Sequence, residues 1–217
     1  MAEPASKKRN VHRSPGRPTR EQAERRNHEL LDRALDLFLA QGFERTSIEA
    51  ITAAVGMAKR TVYARYGDKE TLFRAALQRA IDDWIVPLDR LKAAESDDIE
   101  ATLLDVGRIL VANVLSPAGL RLLRITNAES VRMPEIGDYT VRHGTAPTIA
   151  FLIDLFNRRL PGRFASEADA SAIAYAFLNL VVGGPANIMA WGVKLTPEEV
   201  ETQTRHSVHL FLHGILH

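Results

Sequence analysis

Apolar residues recur at helical spacing along almost the whole chain. Leu30, Ala34 and Leu37, with Leu31, Leu35 and Phe38 beside them, fall at steps of three and four, the repeat of a helix that buries one face. Gly42 marks its end. Thr46-x-x-Glu49 reads as a capping box opening a second helix, whose inward positions are Ile48, Ile51, Thr52 and Val55. The connection Val55-Gly56-Met57 leads to a third, short helix over 58–65, with Ala58 and Val62 assigned inward. Asp68 caps a longer helix running toward Leu91, and Pro87, which cannot donate to residue 83, predicts a kink there.

The later helices have similar punctuation. Asp97-x-x-Glu100 opens one that runs to Leu115, and Ser116-Pro117 opens the next. Residues 132–143 predict a short helix interrupted by Pro134 and Gly137, and 145–160 a further one ended by Pro161-Gly162. Ser166-x-x-Asp169 and Thr196-x-x-Glu199 start the last two, over 166–191 and 196–216. No stretch alternates at period two and none repeats. The pattern predicts an all-α fold.

Composition adds a division of labour. Apolar residues make up 46% and charged residues 25% of 217, enough for a sizeable core. Residues 1–80 hold 16 Lys/Arg against 10 Asp/Glu, and the remainder 12 against 17. A basic front and an acidic back imply two tasks, the first with a polyanion. The absence of cysteine excludes a disulfide framework and thiolate chemistry and fits a reducing cytosol. The basic, polar N-terminus has no apolar core of a secretory signal. Ala170–Val193 carries no charge and is long enough to span a bilayer, for which about 20 residues suffice. Yet Gly183-Gly184-Pro185 is expected to disrupt it, and no basic cluster flanks it. It reads as a helix buried in the core or between subunits.

The chain thus divides into an arm (1–19), a helix-turn-helix unit (20–80) and a larger helical unit (81–217). On the third helix, Lys59, Arg60, Tyr63 and Ala64 cover the arc opposite Val62. Two cations, a phenol and a methyl suit a major groove, although a solvated helix face gives the same pattern. Lys59 and Arg60 reach guanine edges or phosphate, and Tyr63 and Tyr66 donate to phosphate. Thr46 at a helix start and Lys69 at the next complete the phosphate contacts. Lys7, Lys8, Arg9, Arg13, Arg17 and Arg20 precede the first helix, with Pro15-Gly16-Arg17-Pro18 among them. Two readings stand for the arm: Arg17 inserts into an adjacent minor groove, or the arm is a solvated tail adding sequence-independent attraction.

The run "GFERTSIEAITAAVGMAKRTVYARYGDKETLFRAAL" resembles the N-terminal domain of TetR/AcrR-type transcriptional regulators. Gly42, Thr46, Ile48, Ile51, Gly56, Lys59, Tyr63, Tyr66, Lys69 and Glu70 fall in register with that family's pattern, as does Thr61 in its Thr-x-Tyr element. Ala58 stands where a serine is common and Arg60 where a glycine is common. "LLRITNAESVRMPEIGDYTVRHG" and "VHLFLHGIL" resemble the AefR-like group of C-terminal domains. The resemblance implies a homodimer on double-stranded, palindromic DNA. It further implies an N-terminal three-helix DNA-binding domain and a larger C-terminal domain for ligand binding and dimerisation. Repression would be released by a small apolar or aromatic effector.

Candidate effector contacts on the back helices are Trp84, Leu103, Asn127, Tyr139, Phe151, Tyr175 and Asn179, the two amides because buried amides need partners. The last two helices, with small residues at Ala172, Ala176, Gly183 and Gly184, are candidates for a four-helix subunit interface. His206, His209, His213 and His217 form a stripe opposite Val208, Phe211 and Ile215. Histidines four apart can hold a metal, but no carboxylate joins them in sequence, so a surface or dimer-edge stripe is expected. No G-x-S-x-G, H-E-x-x-H, E-x-x-H or phosphate loop occurs, so neither enzyme activity nor a cofactor is expected. Two other classes remain: an architectural DNA binder without a ligand, and an enzyme on a helical bundle.

Overall fold

A computed structural model describes residues 19–162 and 166–216. Its helices are α1 (Arg20–Gln41), α2 (Ile48–Val55), α3 (Lys59–Tyr66), α4 (Lys69–Trp84), α5 (Leu88–Lys92), α6 (Ile99–Leu115) and α7 (Pro117–Glu129). They continue as α8 (Pro134–Thr140), α9 (Ala146–Arg159), α10 (Glu167–Leu178), α11 (Gly184–Ala190) and α12 (Pro197–Leu216). Two π turns, Val141–Thr145 and Asn179–Gly183, join α8 to α9 and α10 to α11. Among the described residues there is no strand.

Two apolar clusters hold the helices. The first gathers Leu30, Ala34 and Phe38 of α1, Ile48 and Ile51 of α2, Val62 of α3, and Leu72, Phe73, Leu77 and Ile81 of α4. Leu122, Met133 and Ile136, from α7 and the start of α8, complete it. The cluster therefore extends beyond residue 80, and α4 is shared by both halves. The second cluster joins α6, α9, α10 and α12 around Leu103, Leu155, Phe156, Phe177 and Phe211.

Several local expectations change. Thr19 and Gln22 form a capping box at the start of α1. Ser47, not Thr46, caps α2: its Oγ accepts from Ala50 N at 3.1 Å. The Thr46 hydroxyl points inward instead and donates to Gly42 O at 2.8 Å. Asp98, not Asp97, caps α6. The kink expected within one helix at Pro87 is a full break: α4 stops at Trp84 and Pro87 leads α5. Proline removes a donor and pushes the preceding residue out of helical geometry. The carbonyl of Trp84 accepts from Asn113 Nδ2 at 3.0 Å, so α6 satisfies the broken end. Pro134 opens α8 rather than interrupting it. Gly183-Gly184-Pro185 does not disrupt its helix, because a π turn shifts the hydrogen-bond register around the proline.

Gly119 is the tightest point of the fold. A Cβ there would lie 2.5 Å from the carbonyl oxygens of Asn113 and Val114 and 2.8 Å from Trp84 Nε1. Gly119→Ala is therefore expected to cost about 1–3 kcal/mol, lowering the thermal midpoint by about 2–4 °C per kcal/mol. Calorimetry checks this, and an unchanged midpoint would show that α7 slides away without loss.

Candidate nucleic-acid interface and cavity

Gly56 ends α2 in the left-handed region at φ 62°, a turn conformation that favours glycine. Its N–H and that of Met57 close the turn onto Ala53 and Thr52 carbonyls. Ala58, extended and exposed rather than inward, starts α3 without a side-chain cap. Val62 alone of α3 is fully buried, against the first cluster. Lys59, Arg60, Thr61, Tyr63, Ala64 and Arg65 are exposed. The eight-residue helix presents no acidic side chain.

The exposed cations differ in freedom. Lys59 Nζ is ion-paired with Glu49 Oε1 of α2 and lies 5.4 Å from the centre of the Tyr63 ring. That mutual hydrogen bond lowers the Glu49 carboxyl and raises the Lys59 ammonium from their ordinary values. The side chains of Arg60 and Thr61 make no hydrogen bond or ion pair with any described residue. Glu49→Gln is expected to tighten binding to DNA, because Lys59 no longer has to leave a carboxylate to reach the duplex. Anisotropy titrations at one salt concentration measure this. Unchanged affinity would mean that Lys59 does not approach the DNA.

The other candidates hold the protein together. Thr46 is 1% exposed. Tyr66 is half-buried, its hydroxyl donates to Asn27 Oδ1 at 2.5 Å, and burial raises its phenol above the ordinary value. Lys69 Nζ donates to Phe43 O at 2.9 Å and sits 4.3 Å over the Phe43 ring. Three of the assigned phosphate donors are thus engaged internally, Thr46 and Lys69 at the loop from α1 to α2 and Tyr66 with Asn27 of α1 itself. Arg17 lies outside the described residues. Ser47 and Arg65 were not singled out from sequence; adjacent hydroxyls at 46 and 47 gave no sign of which would cap.

In the back half, a cavity of about 420 Å³ opens among the end of α4, α6, α7, both π turns, α9 and α11. Trp84, Tyr175 and Asn179 line it, although Tyr175 and Asn179 are exposed and Asn179 is therefore not the buried amide its assignment required. Leu103 and Phe151 do not; they are buried in the second cluster. Asn127 is exposed on α7, not buried as its assignment required. Tyr139 lies apart too. Its hydroxyl donates to Asp82 at 2.7 Å, its ring stacks on His143 at 4.1 Å, and burial with the Asp82 charge pushes its phenol up to about 12. Sequence reasoning missed Asn113, Thr140, Thr145, Thr148 and Asn187, which the π turns and the α4–α6 junction bring to the wall.

Two surface features bear on assembly. Ala168–Ala190 is long and apolar enough to cross a membrane by length and composition, and only 28% of its most apolar 18-residue window is buried. Tyr175 and Leu180 on it and Leu210 on α12 stay exposed. Of the histidines, His213 Nδ1 is 2.9 Å from His209 O and its ring 3.9 Å from that of His209. His217 lies outside the described residues. Among those described, no group of three or more His, Asp or Glu is placed to hold a metal.

Known proteins share this arrangement. The family described as "Bacterial regulatory proteins, tetR family" matches residues 30–76, and "AefR-like transcriptional repressor, C-terminal domain" matches 101–214. The HTH-type transcriptional repressor ComR of Escherichia coli (strain K12) is 30% identical over 161 residues, covering 71% of this chain and 74% of its own. A TetR-family regulator of Mesorhizobium loti MAFF303099 superposes with a TM-score of 0.75 at 24% identity, over 91% of this chain and 98% of that one. The Flavonoid-responsive Regulator FrrA superposes at 0.66 with 28% identity, over 87% and 96%.

Proposed function

Because the chain belongs to the TetR family of bacterial regulatory proteins, DNA-binding transcriptional regulators rather than enzymes, we propose that it represses as a homodimer on a palindromic operator and releases DNA when a small molecule fills the cavity. The observation that carries this reading is α3: every side chain from Lys59 to Arg65 except Val62 is exposed, none acidic, on a helix set by the Gly56 turn. Arg60, Thr61 and Tyr63 meet base edges; Lys59 exchanges Glu49 for the DNA. One such helix spans few base pairs. Two, about 34–36 Å apart, read successive major-groove faces. A second copy covering α10, α11 and α12 supplies the spacing, which the exposed apolar side chains on those helices support. Tyr66, Lys69 and Thr46 act one step back, fixing the frame from which α3 projects.

Release follows from where the cavity lies. Trp84 and Ile85, at the end of α4, form part of its wall. The same helix supports α3 through the first cluster. A molecule in the cavity selects a conformer with the wrong spacing between recognition helices; a coupling of about 1–3 kcal/mol weakens DNA binding about 5–150-fold. The name of the flavonoid-responsive relative supports a small-molecule signal. We place the protein in the cytoplasm, with its DNA. Selection from random duplexes tests the reading. The expected product is a two-fold symmetric site with half-site centres about 10–10.5 base pairs, or a multiple, apart. Broad protection without a symmetric consensus would favour an architectural binder.

A further inference from the structure

The cavity wall is selective in its chemistry. It contains no Lys, Arg, His, Asp or Glu. Leu110, Val114, Leu123, Val182 and Ala186 make it mainly apolar. The polar groups present are amides and hydroxyls. The Asn179, Asn187 and Thr145 side chains hydrogen-bond to no described residue; the two amides are exposed and the threonine is half-buried, so each can exchange water for a visitor. Thr148 donates to Gly144 O at 3.2 Å and so offers only its oxygen lone pairs. Asn113 and Trp84 are committed to each other: the indole N–H donates to Asn113 O at 3.2 Å and the amide returns a bond to Trp84 O.

Charge is disfavoured in both signs. An ion set against this wall gives up part of its hydration, and no opposite charge is there to receive it. The C-termini of α4 and α6 adjoin the cavity, and their partial negative charge opposes an anion, whereas the starts of α9 and α11 that also adjoin it are continuous with the π turns before them. That partial charge favours a cation only weakly, too little to offset its lost hydration. The amides, by contrast, accept and donate to neutral groups without penalty. Trp84 and Tyr175 add aromatic surface for a flat ring.

We propose that the effector cavity is selective for uncharged ring compounds bearing hydroxyl or carbonyl groups, and excludes carboxylates and amines of the same skeleton. This deepens the repressor reading and rests on it for its regulatory meaning. The chain has two tryptophans, Trp84 at the cavity and Trp191 on the surface, so a Trp191→Phe protein reports the cavity by fluorescence. Two matched series serve as probes at pH 7. The first is 4-(4-hydroxyphenyl)butan-2-one, 3-(4-hydroxyphenyl)propanoate and tyramine. The second is 4-(hydroxymethyl)benzophenone, 4-benzoylbenzoate and 4-(aminomethyl)benzophenone.

In at least one series the uncharged member is expected to bind more than about ten-fold tighter than both ions. Gly144→Leu fills the cavity from its π turn, where an added Cβ meets nothing nearer than Ile85 at 3.9 Å, and is expected to abolish that binding. Thr145→Val, a smaller change that keeps the volume, is expected to weaken it about two- to ten-fold. Equal or tighter binding of an ion, no binding by either uncharged probe, or binding unmoved by both variants would overturn the proposal. Operator selection, performed without any ligand, fails or succeeds independently, so loss of the regulatory reading and loss of this one are separable.

Discussion

Arg60→Ala is expected to weaken operator binding by about 2–6 kcal/mol, or about 30-fold to 10⁴-fold. A guanidinium that meets a guanine edge through two hydrogen bonds discriminates by about 1–3 kcal/mol, and a symmetric dimer loses it twice. Arg60 suits this contact. It is exposed, and no described residue holds its side chain, so DNA need not displace an internal partner. Lys59 must first part from Glu49, so Lys59→Ala is expected to cost less. The measurement is a pair of titrations at one salt concentration, on the selected operator and on a scrambled duplex. The operator should suffer far more than the scramble. Equal losses on both would mean that Arg60 contacts only phosphate.

Phe73→Ala has the largest expected effect on stability. Phe73 is 0% exposed, with its ring 4.7 Å from Phe38 and 5.2 Å from Phe43, both edge-on. Emptying such a site costs about 3–5 kcal/mol, a large share of a total that is typically about 5–15 kcal/mol. The Phe43 ring also carries Lys69 and the Arg132 guanidinium, the latter at 4.2 Å, so the loop from α1 to α2 loosens with it. The thermal midpoint is expected to fall by about 6–20 °C. Because Leu122, Met133 and Ile136 belong to the same cluster, the loss should appear as one shifted transition. Two separate transitions would show that residues 20–80 unfold on their own and that the junction contributes little.

How much was legible follows the range of each interaction. Helix existence came from the three-and-four repeat, and caps at Asp68, Ser116, Ser166 and Thr196 lie where the side chains announced them. These are contacts within four residues, so the local sequence contains both partners. The turn at Gly56 and the outward face of α3 were legible for the same reason. Tyr66 and Lys69 were legible as polar, but their partners are 39 and 26 residues away, and distance hid their internal engagement. The Thr46 hydroxyl bonds Gly42 only four residues back, and there the adjacent hydroxyl of Ser47 hid which of the two turns inward.

By itself, the amino-acid order determined an all-helical chain, a basic front against an acidic back, and a short helix with cations and a phenol turned outward. Tertiary packing alone decided the cavity. Its wall needs the break after Trp84, the Asn113 clamp across 29 residues and two π turns brought to face one space. A π turn has no local residue signature here, since two glycines and a proline at 183–185 equally suggest a broken helix. Whether the helix breaks or shifts register depends on neighbours packed around it, and those neighbours come from distant parts of the chain.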